Sequence, residues 1–172
     1  MRCPKYTRSS PWRAKRKQGK EIGAALFDSA LANALGGVAA GTVPNIDWLS
    51  DSIKAMLTTS TYVPAKTTHE FKSSVTNEVS GTGYTATGVA LTTKTLAITS
   101  SVIKADADDA VWTSATITAR NVVVYDATPA TDATRPLIYY HANATDVIST
   151  GGEFRVAWHA NGIFQITISA EA

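Results

Sequence analysis

The sequence predicts an all-β fold, an antiparallel β-sandwich or jelly roll with one short N-terminal helix and an extended basic N-terminal arm. From residue 46 onward, about seven short runs of β-branched and aromatic residues recur with turn residues between them, as in β-sandwiches. Only 17% of residues are charged, so Thr, Ser and Asn supply much of the surface polarity, and Thr suits a pleated strand. We divide the chain into an arm (1–20), a helix with its connector (21–45) and a β body (46–172).

The arm carries most of the positive charge. Residues 1–20 hold eight of the sixteen Lys and Arg residues and no acidic residue, a formal charge of +8. The remaining 152 residues hold eight basic and fourteen acidic residues, a formal charge of −6. A basic segment of this kind favours an anionic partner. The residues that we expect to bind the partner are cations and two aromatic anchors: Tyr6, Arg8, Trp12, Arg13, Lys15, Arg16, Lys17 and Lys20.

Residues 21–35 are predicted to form the short helix. Its apolar face follows the i, i+3, i+4, i+7 spacing and consists of Ile22, Ala25, Leu26, Ser29 and Ala30. Gly36 and Gly37 supply a stop signal. Asp28 and Asn33 interrupt the apolar run, so we expect neither a signal peptide nor a membrane span, and hence a soluble, unexported chain.

The body is predicted to contain strands at 52–58, 89–99, 111–118, 119–127, 136–142, 153–160 and 162–169. In the first of these, Ile53, Ala55 and Leu57 alternate with Ser52, Lys54 and Met56, a period of two that is typical of a strand with one buried face. The uninterrupted valines at 122–124 predict a strand covered on both faces. Asn161-Gly162 predicts a two-residue hairpin between the last two strands.

The intervening stretches are predicted to be loops. Residues 66–88 contain three glycines near their end and allow one helical turn near 69–72. Residues 126–135, which include Pro129, form a second connection. The aromatic residues inside the strand patterns are expected to form the core, namely Trp112, Tyr125, Phe154, Trp158 and Phe164.

No catalytic, metal or cofactor motif emerges from the sequence. The glycine-rich stretch 81–88 lacks both the G-x-G-x-x-G spacing and the Lys-Ser/Thr of a P-loop, so we interpret it as a plain loop. The acidic cluster Asp106, Asp108 and Asp109 lacks the ligand ladder of a calcium loop, which favours an acidic turn. His69, His141 and His159 are scattered, and the single Cys3 lies in the arm. We therefore expect a protein without enzymatic activity and without a cofactor.

Four segments resemble a family of small tailed-bacteriophage virion proteins. They are THEF (68–71), DADDAVWTSATITARNVVVYDAT (106–128), PLIYY (136–140) and GGEFRVAWHANGIFQIT (151–167). Members of the family occur as capsid-associated cement or decoration proteins. The resemblance implies a β-sandwich or jelly-roll body that sits on the outer capsid surface and bridges neighbouring capsid subunits. The long basic arm departs from the family pattern, whose members typically begin near the ALFDSALANALGG segment.

These observations predict a cement or decoration protein of a phage virion, made in the host cytoplasm. Its expected partners are the major capsid protein and other copies of itself, as a dimer or trimer that forms through a sheet edge or the 22–35 helix. Two alternatives remain open. One is a head–tail or tail component, and the other is a nucleic-acid-binding module that uses the basic arm as a phosphate clamp. No membrane partner is expected.

Overall fold

The structure is a computed structural model that describes residues 24–27, 30 and 45–167. The described residues lie mostly in strands of two antiparallel sheets, which confirms the all-β prediction. The eight strands are β1 (Ala24–Leu26), β2 (Ile53–Thr58), β3 (Val89–Ala90), β4 (Thr95–Thr99), β5 (Val102–Asp106), β6 (Ala110–Asp126), β7 (Leu137–Val156) and β8 (Phe164–Thr167). One 3-10 turn, Lys72–Ser74, follows closely the helical turn predicted near 69–72.

The larger sheet has the strand order β1-β7-β6-β2-β3, and the smaller sheet has the order β4-β5-β8. One core cluster contains residues from both sheets, including Ile53 and Val124 from the larger sheet and Ala105 from the smaller one. A second cluster lies on the opposite face of the larger sheet, where Met56 and Val123 pack with Tyr62. The central strands of the larger sheet are therefore covered on both faces.

This double coverage explains the burial of β2 and of the valine run in β6. Val122, Val123 and Val124 are all buried, which confirms the prediction for 122–124. In β2 the predicted one-sided alternation is wrong, because Met56 and Thr58 are buried together with the apolar positions on the other face.

The predicted strands at 111–118 and 119–127 form the single strand β6, and β7 joins those at 136–142 and 153–160. β6 and β7 pair along nearly their whole length, with four register shifts that mark bulges. Ser114 adopts a positive φ of 52° at the first of these shifts. Bulges bend a strand without ending it. Each of the two long strands therefore continues through the position at which the sequence predicted a break between strands.

The N-terminal helix prediction is wrong at residues 24–26. Ala24–Leu26 form β1, which pairs antiparallel with β7 from His141 to Tyr139. Backbone pairing with an exposed edge of β7 outweighs the weak helical preference of three residues. Ala30 has a helical backbone, and the other residues of the predicted helix lie outside the described part of the chain.

Two further strand predictions need correction. The predicted strand 89–99 divides into β3 and β4, which lie in different sheets, and Thr93 between them has a φ of 49°. The strand β5 was missed, and it pairs with both β4 and β8. The turn before Gly162 is present, since the Gly162 N–H donates to the carbonyl of His159 at 2.7 Å. However, β8 pairs with β5 rather than with β7, so this turn does not close the predicted hairpin.

The predicted core aromatics are confirmed. Trp112, Tyr125 and Phe154 are buried, and Trp158 and Phe164 pack against the first core cluster. The loop predictions for 81–88 and for the connection after Asp126 also agree with the structure.

Candidate partner-binding surfaces

The residues predicted to bind a partner all lie outside the described part of the chain. Partner binding therefore stays a prediction for Tyr6, Arg8, Trp12, Arg13, Lys15, Arg16, Lys17 and Lys20. Two properties of the body bear on this: how its own charges are used, and where it exposes apolar side chains.

Most of the basic residues of the body are engaged by acidic residues of the body. Lys72 and Arg135 both contact Asp132, with Nζ to Oδ2 at 2.6 Å and Nη1 to Oδ1 at 2.7 Å. Lys104 lies 3.0 Å from Asp106. These pairs neutralise the cations locally, which leaves little basic potential for an anionic ligand.

The two remaining ion-paired cations lie on the β6–β7 sheet. Arg120 Nε donates to Asp146 Oδ1 at 2.8 Å across the two strands. Arg155 donates to Glu153 at 2.7 Å and to Asp109 at 3.2 Å. In addition, Lys94 Nζ donates to the backbone carbonyl of Asp51. The described body thus uses its cations to hold its own loops and strands.

The acidic cluster is a structural turn between β5 and β6. Asp108 Oδ2 accepts hydrogen bonds from the Thr92 and Thr93 hydroxyls at 3.2 and 2.5 Å. Asp109 Oδ1 accepts the backbone N–H of Trp158 at 3.0 Å. Among the described residues no group of three His, Cys, Asp or Glu side chains could hold a metal ion. The carboxylates are directed to protein donors, as the interpretation of an acidic turn predicts.

The glycine-rich loop 81–88 is held in place by Glu78. The Glu78 Oε1 atom accepts the Tyr84 hydroxyl at 2.8 Å and the Thr87 N–H at 2.6 Å. Gly88 has a φ of +79°, and its Cα approaches β2 so closely that a Cβ would lie 2.0 Å from the Ala55 carbonyl oxygen. The glycines therefore serve a tight packing contact.

Each of the three histidines makes its own local hydrogen bond, and the three are separate from one another. His69 Nδ1 is 2.9 Å from the Tyr62 hydroxyl. Burial raises the pKa of Tyr62 to about 12. His141 contacts Asn143 at 3.2 Å, and the ring of His159 accepts the backbone N–H of Asn161 at 3.0 Å.

Two carboxyl groups of the body have shifted pKa values of opposite sign. Burial raises the pKa of Asp126, whose Oδ2 has no hydrogen-bond partner within the described structure, while Oδ1 accepts the Thr128 N–H at 2.8 Å. The hydrogen bond from Lys72 holds the pKa of Asp132 below its ordinary value.

Four of the six exposed large apolar side chains of the described residues lie on two strands, and the other two, Leu49 and Val63, lie in loops. Leu96 and Ile98 lie on β4, with 47% and 72% of their surface exposed, and Val147 and Ile148 lie on β7. Leu96 also lines an apolar cleft of about 510 Å³ between the sheets, together with Ile103, Ile138, Phe164 and Ile166. Sequence reasoning missed β4 as a surface, although its uncharged sequence TLAIT was a visible signal.

No protein-family description, curated protein or solved structure matches this chain. Among the described residues no helix is long and apolar enough to cross a membrane.

Proposed function

We propose that this chain is a structural protein of a phage virion that binds the outer capsid surface and stabilises it by bridging neighbouring capsid subunits. In this proposal it has no enzymatic activity, and it resides on the virion surface after synthesis in the host cytoplasm. Its partners are the major capsid protein and other copies of itself, as a dimer or trimer.

One observation carries the proposal: the net positive charge of the chain lies in residues 1–20, apart from the body. Residues 1–20 have a formal charge of +8, whereas five of the eight basic residues of the body are ion-paired within it: Lys72, Lys104, Arg120, Arg135 and Arg155. A partner that recognises positive charge would therefore bind the arm. The aromatic residues Tyr6 and Trp12 add apolar anchors, which suit a protein surface with exposed apolar pockets.

The resemblance to capsid-associated proteins supports the same proposal. Its longest segment, 106–128, comprises all of β6, and the segments 136–140 and 151–167 contribute both ends of β7 and all of β8. These strands build the core. The likeness therefore concerns the body, while the arm is a feature of this chain.

As the finer description of the body, we propose a β-sandwich of jelly-roll type. The seven described strands of the body, β2–β8, and the core cluster shared by the two sheets support this description. A compact β body of this kind would present its loops and strand edges to a capsid lattice. Many copies on a symmetric lattice convert weak contacts into strong attachment.

A nucleic-acid-binding module is the second candidate, because the same arm charge suits phosphate. The two candidates differ in what the arm recognises. Binding to nucleic acid is dominated by counterion release, so the logarithm of affinity would fall with the logarithm of salt at a slope of about −0.9 per phosphate contact. Binding to a protein surface would depend on the aromatic anchors as well.

The test compares capsid and DNA binding by two sets of full-length variants. The first neutralises Arg13, Lys15, Arg16 and Lys17 with Gln, and the second replaces Tyr6 and Trp12 with Ala. We expect both sets to weaken binding to purified capsids. Arg120→Gln with Arg155→Gln is the control, because both side chains are ion-paired within the body. If the unmodified chain binds DNA but not purified capsids, and the charge variants lose DNA binding, the nucleic-acid alternative replaces the proposal.

A further inference from the structure

The strand β4 forms an open edge of the smaller sheet. All five of its residues, Thr95–Thr99, are exposed, and among the described residues only β5 pairs with it. Ile98 is the more exposed of its two large apolar side chains, at 72%. An exposed edge strand offers unpaired N–H and C=O groups to any strand of suitable sequence.

The turn after β4 fixes which backbone groups face outward. Ser100 and Ser101 have φ values of 49° and 64°, as in a two-residue type I′ hairpin, so Thr99 and Val102 form a hydrogen-bonded pair. Alternation along the ladder then directs the backbone groups of Leu96 and Ile98 away from β5. The opposite edge of β5 agrees with this alternation, because the Ala105 carbonyl accepts the Ile163 N–H at 2.9 Å. Two donors and two acceptors therefore point outward from β4.

The edge lacks the usual protection against strand addition. Natural edge strands carry lysine, proline or a bulge. The sequence of β4 is TLAIT, without a charge or proline, and its pairing with β5 runs through five residues without a register shift. Lys94, which precedes the strand, is engaged by the carbonyl of Asp51, and Lys104, opposite Ala97 on β5, is ion-paired with Asp106. Nothing in the strand itself opposes pairing with another strand.

The sequence of β4 is self-complementary about Ala97. Thr95 and Thr99 are equivalent about this centre, and so are the two branched aliphatic residues Leu96 and Ile98. In an antiparallel pair related by a two-fold axis at Ala97, Leu96 lies opposite the partner's Ile98 on the same sheet face. The outward backbone groups of Leu96 and Ile98 then form four hydrogen bonds between the copies. No like charges are brought together within the strand.

We propose that two copies of this chain associate edge to edge through β4, which joins their smaller sheets into one continuous six-stranded sheet. This pairing is a specific form of the self-association that the proposed function includes. It rests on that part of the proposed function alone. Capsid binding is a separate property. A foreign strand could use the same edge, but only a second copy exploits the symmetry of TLAIT about Ala97.

The first test is the oligomeric state of the full-length chain by sedimentation equilibrium. We expect a dimer for the unmodified chain and at least about a tenfold weaker dimer for Ile98→Lys, because the substitution places a charge on the shared apolar row. Ile148→Lys is the matched control, since Ile148 is 67% exposed on β7, and it should leave the dimer unchanged. A monomeric unmodified chain, or an equal effect of both variants, overturns the proposal.

The second test detects the symmetry axis directly. In a Cys3→Ser background, Ala97→Cys should form an intermolecular disulfide on mild oxidation. The two Ala97 positions form a non-hydrogen-bonded pair, with Cα atoms about 4.5 Å apart, within the range that a disulfide spans. Ala144→Cys, at an exposed position on β7, should not cross-link. A dimer that Ala97→Cys fails to cross-link contradicts the β4 register.

Capsid binding measured on the same variants separates the two proposals. Loss of the dimer by Ile98→Lys with normal capsid decoration supports the β4 edge and shows that attachment does not need it. A dimer that responds as expected but never binds capsids overturns the proposed function and leaves the β4 pairing intact. A chain that stays monomeric and binds another protein through Ile98 contradicts the second copy as the occupant.

Discussion

Substitution of Gly88 by alanine should destabilise the protein far more than the same substitution at Gly151. Both glycines have φ values in the left-handed region, +79° and +70°, so alanine at either position carries a similar backbone cost. At Gly151 a Cβ meets nothing within 4 Å. At Gly88 it would lie 2.0 Å from the carbonyl oxygen of Ala55. The difference between the two variants therefore measures the close contact of the 81–88 loop with β2.

The size of the effect follows from two contributions. The left-handed backbone conformation costs alanine about 1–2 kcal/mol, which should be the whole effect of Gly151→Ala. Relief of the steric overlap at Gly88 requires the loop to move away from β2, and overpacking of this kind adds about 1–3 kcal/mol or more. That movement also strains the hydrogen bond from the Tyr125 hydroxyl to the Thr87 carbonyl, which is 2.7 Å long. We expect Gly88→Ala to cost roughly 2–5 kcal/mol in total.

The assay is urea denaturation followed by circular dichroism, with the free energy of unfolding extrapolated to water for each variant. The slope against urea should stay constant, since neither substitution changes the surface exposed on unfolding. If Gly88→Ala and Gly151→Ala lower the free energy of unfolding equally, the loop does not pack on β2 as described. The reasoning from the backbone contact would then be refuted.

Asn121→Ala should lower the free energy of unfolding by about 2–3 kcal/mol, because the buried amide donates to Thr58 Oγ1 and to the Tyr62 carbonyl at 3.0 and 2.9 Å. Asn143→Ala removes two longer hydrogen bonds at a half-buried position, to the Arg120 carbonyl at 3.3 Å and to His141 at 3.2 Å. It should cost less than Asn121→Ala, about 1 kcal/mol, in the same denaturation assay, and equal losses would contradict the account. Asp126→Asn should raise the melting temperature at neutral pH. The raised pKa of Asp126 makes its contribution to stability greatest at low pH and progressively lost as pH rises through the folded-state value. Asp132→Asn should lower the melting temperature at neutral pH, because the lowered pKa of Asp132 gives stability that is present above the unfolded-state value and lost as pH falls. The Asp126 difference should shrink as pH falls through its raised folded-state value, and the Asp132 difference should shrink as pH falls below the ordinary carboxyl pKa of about 3.9. Melting curves that keep a constant offset across pH would refute the assigned causes.

The sequence predicts the parts of the fold whose residues carry a strong local pattern. The valines at 122–124 are buried on both faces, as an uninterrupted apolar run predicts. The continuous path of β7 has no such pattern, because polar residues such as Asn143 and Asp146 lie inside the strand. These residues are held by pairing with β6 and by the ion pair between Arg120 and Asp146, which only the folded chain brings together.

The candidate surfaces were predictable only in part. The basic arm is evident from composition, yet composition does not give the partner. The β4 edge depends on the strand order of the smaller sheet, which no local pattern in 95–99 reveals. Likewise, Ala24–Leu26 have a helical spacing but form a strand, because their position beside β7 outweighs local propensity.

The copy number of this chain relative to the major capsid protein in purified virions tests the central proposal most directly. Quantitative mass spectrometry of intact particles supplies the ratio. A decoration protein that bridges neighbouring subunits over the whole shell should be present in near-stoichiometric amounts, since it follows the symmetry of the lattice. About a dozen copies per particle would instead indicate a head–tail or tail component at a single vertex, and absence from the particle would contradict a virion role altogether.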